Sequence, residues 1–241
     1  MAIFLLLSFY HATVTFFGIN GGLMNATEIV KTIKASLEKE LHIDLVKNPI
    51  HIKMENNAIL MEGVVDRIAH KKRALLIAMG IPGTSGVVDR LRVRPAKEMG
   101  DKEIKNHIYD AFLEEQTLNS IKFDVEVNNG IVDIEGAVPS LSHKRLAGVL
   151  AWWVPGTQDV INSLEVNPPE EDSDDEITDA VMLTLEKDKL VNHSNIKAIT
   201  KNWVVTLDGV VHSEAAKNAA EDDTWYVWGV NGVVNKLKVV R

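Results

Sequence analysis

The amino-acid sequence predicts an α+β protein made of three tandem α-β-β-α-β repeats, each a small three-stranded mixed sheet with two helices. Two observations carry that prediction. Gly63, Gly136 and Gly209 stand 73 residues apart, and so do Gly83, Gly156 and Gly229. The apolar columns Leu91/Leu164/Leu237 and Val93/Val166/Val239 keep the same step. Only 15 of 241 residues are glycine, so two all-glycine columns in register with apolar ones point to an internal repeat. The second observation is an apolar stripe at i, i+4, i+8 at the start of each repeat: Ile29/Ile33/Leu37, Ile104/Ile108/Phe112 and Ile177/Val181/Leu185.

Taken in order, each repeat opens with that helix, for which Thr27, Asp101 and Asp174 are the expected N-caps. Glu28-Ile29, Glu103-Ile104 and Glu176-Ile177 mark the openings, and the first interval of 75 residues places a two-residue insertion around Lys47–Pro49. In the second repeat Phe123, Val125 and Val127 alternate with Lys122, Asp124 and Glu126, the period of a half-buried strand. Asn128-Asn129-Gly130 turns the chain, because Asn and Gly tolerate positive φ. Val132 and Ile134 alternate with Asp133 and Glu135 in the returning strand, which ends at Gly136. A second helix follows, over about Ser140–Trp153 and Ser213–Val227, and the last strand carries Val160, Ile161, Leu164 and Val166. A repeat of roughly 70 residues buries about 60% of its unfolded surface and is marginal alone, so contacts between repeats should matter.

The boundaries that follow are 24–97, 98–169 and 170–241, with an apolar segment at 1–23. That segment has no charged side chain and is either a signal or anchor or an extension upstream of a natural start at Met24. The connector after the second repeat holds Pro168-Pro169 and an acidic run, read as a stiff, solvated link.

Composition excludes several classes of function. Hydrophobic residues are 46% and charged residues 25%, as in a globular protein. The absence of cysteine excludes disulfides, thiolate metal sites and a cysteine nucleophile. A net charge of -8 opposes attraction of the whole molecule to nucleic acid. The charge is uneven. The first repeat, counted from residue 1, has 13 basic and 8 acidic residues, a net of +5, against −7 and −6 for the second and third.

The repeat resembles the BON domain, named for bacterial osmotically inducible and nodulation proteins. The likeness rests on the α-β-β-α-β order, on the glycine closing the second strand (IVDIEG, VVTLDG) and on the endings PGTSGVVDRLRV, PGTQDVINSLEV and WGVNGVVNKLKV. The third copy departs from the pattern with Trp228 in place of proline. The resemblance implies a non-catalytic binding protein of the bacterial envelope or periplasm, associated with phospholipid or envelope proteins and with osmotic or envelope stress. The alternative is a cytoplasmic protein-interaction scaffold without a lipid role. RNA binding is disfavoured, because the acidic second and third repeats lack the basic, aromatic sheet face that RNA modules use.

No catalytic constellation, metal site or cofactor site is expected. His70 and His143 are in register, but Ala216 occupies the third position, and both read as exposed residues near a helix start. The loop Gly80–Gly86 runs from helix into strand, the reverse of a phosphate loop, and reads as a helix stop. The six repeat glycines are structural. The candidate membrane or partner contacts are the basic stretch Arg67, Lys71, Lys72 and Arg73, facing anionic headgroups, and the aromatic helix ends Trp152, Trp153, Trp225 and Trp228. Adjacent Trp152 and Trp153 point in different directions on a helix, so one should pack inward and the other should meet a neighbouring repeat, a lipid interface or a partner.

Overall fold

Three copies of one apolar pattern fold into three copies of one unit. The computed structural model describes residues 24–41, 43, 45–46 and 49–240; the segment 1–23 and Lys47–Asn48 of the expected insertion lie outside the described residues. The first unit comprises α1 (Ala26–Leu41), β1 (Ile50–Glu55), β2 (Ala58–Val65), α2 (Ile68–Met79) and β3 (Val87–Val93). The second comprises α3 (Asp101–Glu114), β4 (Asp124–Asn128), β5 (Ile131–Glu135), the short β6 (Ala137–Val138), α4 (Leu141–Trp153), β7 (Asp159–Asn162) and β8 (Glu165–Val166). The third comprises α5 (Asp174–Lys187), β9 (Ile196–Lys201), β10 (Val204–Val211), α6 (Glu214–Tyr226), β11 (Gly232–Asn235) and β12 (Lys238–Val239). In each unit the middle strand pairs antiparallel with the strand before it and parallel with the strand after it. The parallel register repeats at the 73-residue step in Met61↔Asp89, Ile134↔Asn162 and Leu207↔Asn235.

The helical stripes are buried as the i, i+4, i+8 spacing predicts, from Ile29, Ile33 and Leu37 through to Ile177, Val181 and Leu185. The N-caps fall elsewhere. Asn25, not Thr27, caps α1: its Oδ1 accepts from the Glu28 N–H at 3.0 Å while the Glu28 carboxylate accepts from the Asn25 N–H at 2.9 Å. Ser173 caps α5, and Gly100 precedes α3. Asp101 and Asp174 are first-turn residues whose carboxylates clamp the hairpins instead. Asp101 accepts from Asn129 and Gly130, and Asp174 from Asn202 and Trp203, over 2.7–2.9 Å. The second clamp holds Trp203 at φ 65°, a conformation bulky residues rarely adopt.

Close approach of backbone explains the first glycine column, which follows β5 in the second unit but lies inside β2 and β10 in the others. Gly63, Gly136 and Gly209 sit at φ 153°, 137° and 129°, and a Cβ there would lie 2.6, 3.0 and 2.0 Å from the carbonyl oxygens of Pro49, Lys122 and Asn195. The second glycine column has no single cause: Gly83 and Gly229 have positive φ, whereas at Gly156 a Cβ would meet Met99 and Ile104.

The cores are not three. Residues 24–97 and 170–241 share one continuous hydrophobic cluster, which also takes in Val149 of α4, while the second unit closes a cluster of its own around Ile104, Ile108, Phe112 and Leu118. Helix α6 packs against both α2 and α4, and α5 packs against α4. The first and third units, separated in sequence by the whole of the second, are neighbours in space.

Candidate functional site

The basic stretch of the first unit faces into the protein. Arg67 Nε donates to Asp222 Oδ2 at 2.9 Å, and its other nitrogens reach the Asn218 side chain, the Asn218 carbonyl and Glu221. Arg73 pairs with Glu221 as well. Lys71 is 3% exposed; its Nζ lies 2.7 Å from Asp159, 3.1 Å from Asp89 and 2.9 Å from the Leu91 carbonyl. Lys72 is half-buried, and burial lowers its pKa. These four side chains, expected to meet headgroups, therefore meet the acidic units or the interior. The physical reason is charge complementarity: a +5 unit packs against units of −7 and −6, and buried charges demand partners. His70 is half-buried rather than exposed, and burial together with Arg67 lowers its pKa.

The aromatic helix ends serve the same junction. Trp153 Nε1 donates to Asp223 Oδ1 of α6 at 2.9 Å. The Trp152 ring stacks on Tyr226, with centroids 5.2 Å apart and planes 19° from parallel. Both tryptophans of the second unit thus pack on the third. Trp225 is buried in the shared core, and Trp228 is 43% exposed, with Lys144 Nζ 4.4 Å from its ring centroid.

Between the three units these side chains leave a groove of about 570 Å³. Arg67, Trp152, Trp153, Asp222, Asp223 and Tyr226 line it, so the arginine that opens the basic stretch and two of the tryptophans share one site. Burial pushes the Asp223 carboxyl up to about 8 despite the Trp153 hydrogen bond, and Asp188 and Asp222 add like charge. Burial also raises Asp222, against the pull of Arg67. Burial likewise raises the Tyr226 phenol.

The acidic connector is a tie rather than a free link. Glu170 accepts from the Leu141 N–H at the start of α4 at 2.8 Å, and Asp172 pairs with Arg145, which is 1% exposed. Arg145 Nε also donates to the Trp228 carbonyl at 3.0 Å, joining the second unit to the third.

Asp223 was not among the residues singled out from sequence, nor were Glu221 and Asp222. The signal was present in the repeat alignment. Glu221-Asp222-Asp223 occupies the register of Leu75-Leu76-Ile77 and Gly148-Val149-Leu150, an apolar stretch turned acidic in one copy alone. The N-cap column carries a matching signal, because Arg67 stands where Ser140 and Ser213 cap their own helices.

The model of the BON domain matches residues 25–95, 100–168 and 173–241. The chain belongs to the BON domain family. Among proteins similar to it, Osmotically-inducible protein Y of Escherichia coli (strain K12) is 28% identical over 151 residues, covering 60% of this chain and 74% of that protein. Two structures of CdsD, a structural protein of the Type III secretion system of Chlamydia trachomatis, align at 14% identity and a TM-score of 0.25. One covers 88% of this chain and 92% of its own; the other, a C-terminal domain, covers 90% and 100%. At that TM-score the likeness carries no argument about the arrangement of these BON units. Among the described residues no helix is long and apolar enough to cross a membrane.

Proposed function

We propose that this BON protein is a non-catalytic binding protein of the bacterial envelope that acts in osmotic stress and associates with phospholipid or envelope proteins. The observation that carries the reading is the threefold family match, together with the likeness to an osmotically inducible protein over 74% of that protein's length. The packing supports a binding role over a chemical one. Asp222, Asp223 and Tyr226, whose ionisation burial displaces, are held by contacts between units. Contact with anionic headgroups would fall to basic residues left on the surface, such as Lys31 and Lys34 of α1, both exposed.

The test joins cell fractionation, N-terminal sequencing of the mature chain and co-sedimentation with anionic vesicles. Recovery from the periplasm with salt-sensitive vesicle binding is the expected result. Each surface lysine near a headgroup contributes about 1 kcal/mol, so replacing Lys31 and Lys34 with Gln should weaken binding more than tenfold. A cytosolic chain starting at Met24 with no vesicle binding would overturn the reading in favour of a scaffold.

A further inference from the structure

The net charge of the third unit, −6, hides the sign of its sheet. Its carboxylates crowd on the helices: Asp174, Asp175 and Glu176 open α5, and Glu221, Asp222 and Asp223 lie in α6. The sheet turns Ile196, Ala198, Val205 and Leu207 into the core, so the alternate residues Lys197, Ile199 and Lys201 face away from the helices. Thr206 lies between Ile199 and Val234 in the ladders, which places both apolar side chains on that outer face, 67% and 43% exposed. Asn235 reaches back to α6, which leaves Lys236 outside, and Lys238 follows beyond the buried Leu237. Asp208, opposite Lys197, is the one carboxylate on this face, and no ion pair holds any of its four lysines among the described residues.

The same columns of the second unit carry the opposite sign. Asp124 and Glu126 stand 73 residues before Lys197 and Ile199, and Asp133 and Glu135 stand 73 before Thr206 and Asp208. Asp124 lies directly opposite Glu135 and Glu126 opposite Asp133, like-charge pairs that weaken a sheet and that a cationic partner would relieve. Ile131 and Ile161, partly exposed, lie on the same face in the register of Val204 and Val234. In the first unit these columns hold His51, Lys53 and Glu55, with Lys53 paired to Glu55, so that sheet has no single sign. The fold is common to all three sheets, and only the second and third are complementary.

We propose that the outer sheet face of the third unit docks on the outer sheet face of the second unit of another copy of this chain. Its lysines meet the carboxylates, and Ile199 and Val234 lie against Ile131 and Ile161, at the roughly 10 Å spacing of stacked sheets. Two different surfaces meet, so the contact is heterologous: a pair leaves one face of each kind free, and further copies add head to tail. Three strands of six residues span roughly 14 Å by 20 Å. That is well below the ~800 Å² per partner of a standard interface, so the contact is weak and governed by charge. The net charge of -8 on each copy opposes other orientations. The contact is independent of lipid and of where the protein resides.

The test is sedimentation velocity of the full chain over a range of concentrations. At about 0.1 M salt, where charges act over about 10 Å, the mean mass should rise with concentration above that of a single chain. At about 1 M salt, where the reach is about 3 Å, it should return to that of a single chain. Two variants, each checked by circular dichroism, divide the faces: Lys197→Glu with Lys201→Glu, and Asp124→Lys with Glu126→Lys. Each alone should associate at least tenfold more weakly than the wild type. Mixed one to one they should form pairs that grow no further, because the first keeps the acidic face and the second the basic one. Should either fail to fold, Lys197→Gln with Lys201→Gln and Asp124→Asn with Glu126→Gln take their place, and the same pairing is expected. A wild-type chain that stays single at both salts, variants that associate as the wild type does, or a mixture that stays single overturns the proposal. A single wild-type chain whose binding to anionic vesicles is lost in Lys197→Glu with Lys201→Glu also overturns it, and gives the face to a lipid surface.

Discussion

The second unit and the pair formed by the first and third share one fold but are held differently. The second closes its own core around Ile104, Ile108 and Phe112 and caps its second helix with its own Ser140. In the first unit the equivalent position is Arg67, which makes no cap. Helix α2 is capped from outside instead, by Asp222 Oδ1 accepting from the Ala69 N–H at 3.2 Å, while Arg67 crosses to the same carboxylate. One substitution in a repeat column thus exchanges a local hydrogen bond for a contact between units, through side chains 155 residues apart in sequence. Tandem repeats need not stack in chain order. The merged cores follow where the exposed register of one copy has become complementary to another.

Breaking the attachment of the second unit should have the largest effect. Arg145→Ala strips the partner from Asp172 and the donor from the Trp228 carbonyl, and removing one member of such a buried pair costs about 3–5 kcal/mol. Urea unfolding should register that loss; a change below about 1 kcal/mol would mean the second unit is held by its other contacts, among them Trp153–Asp223 and Lys71–Asp159.

The difference between the cores predicts how damage spreads. Ile33→Ala and Ile108→Ala each remove a fully buried side chain and should cost about 2–5 kcal/mol. Hydrogen exchange separates them. Ile108→Ala should raise exchange within residues 98–169, whereas Ile33→Ala should raise it in the first and third units together. If the first unit opened by itself, the shared cluster would not be a cooperative one.

A double-mutant cycle sharpens the interface further. Arg67→Ala and Asp222→Ala should couple by about 0.5–3 kcal/mol, as residues in one hydrogen-bonded network do. Additive losses would show that the ion pair is incidental to the packing of α2 on α6.

A further effect is one of pH. Asp223 binds its proton more tightly folded, at about 8, than at its ordinary value of 3.8. The stability it contributes is complete below that ordinary value and is lost as the pH rises through about 8. Asp222 is shifted in the same direction. Asp223→Asn should therefore flatten the fall in melting temperature between pH 4 and 8 and leave the variant more stable than the parent at pH 9. An unchanged slope would show that the carboxyl is ionised in the folded protein.

Much of the architecture was legible because it is encoded at short range. The i, i+4, i+8 stripes named the buried helix faces, the Asn-Gly turn and the alternating residues around it named the hairpin, and Ser140 and Ser213 began their helices. The candidate site was legible only in fragments. Arg67, Trp152 and Trp153 were visible as separate features, one read as a lipid contact and two as helix ends, and Asp223 was hidden in a helix that looked merely polar.

Sequence by itself determined the repeat, the order of its elements and the uneven charge, since each depends on residues a few positions apart or on a fixed 73-residue step. Tertiary structure alone decided that the first unit packs on the third, that the basic stretch turns inward and that a buried carboxylate meets a tryptophan from another unit. Periodicity tells a helix which face to bury, but the partner of that face lies on a distant copy with the same pattern. Choosing among such partners is a matter of shape and charge fit across whole surfaces, which come into existence only when the units have folded.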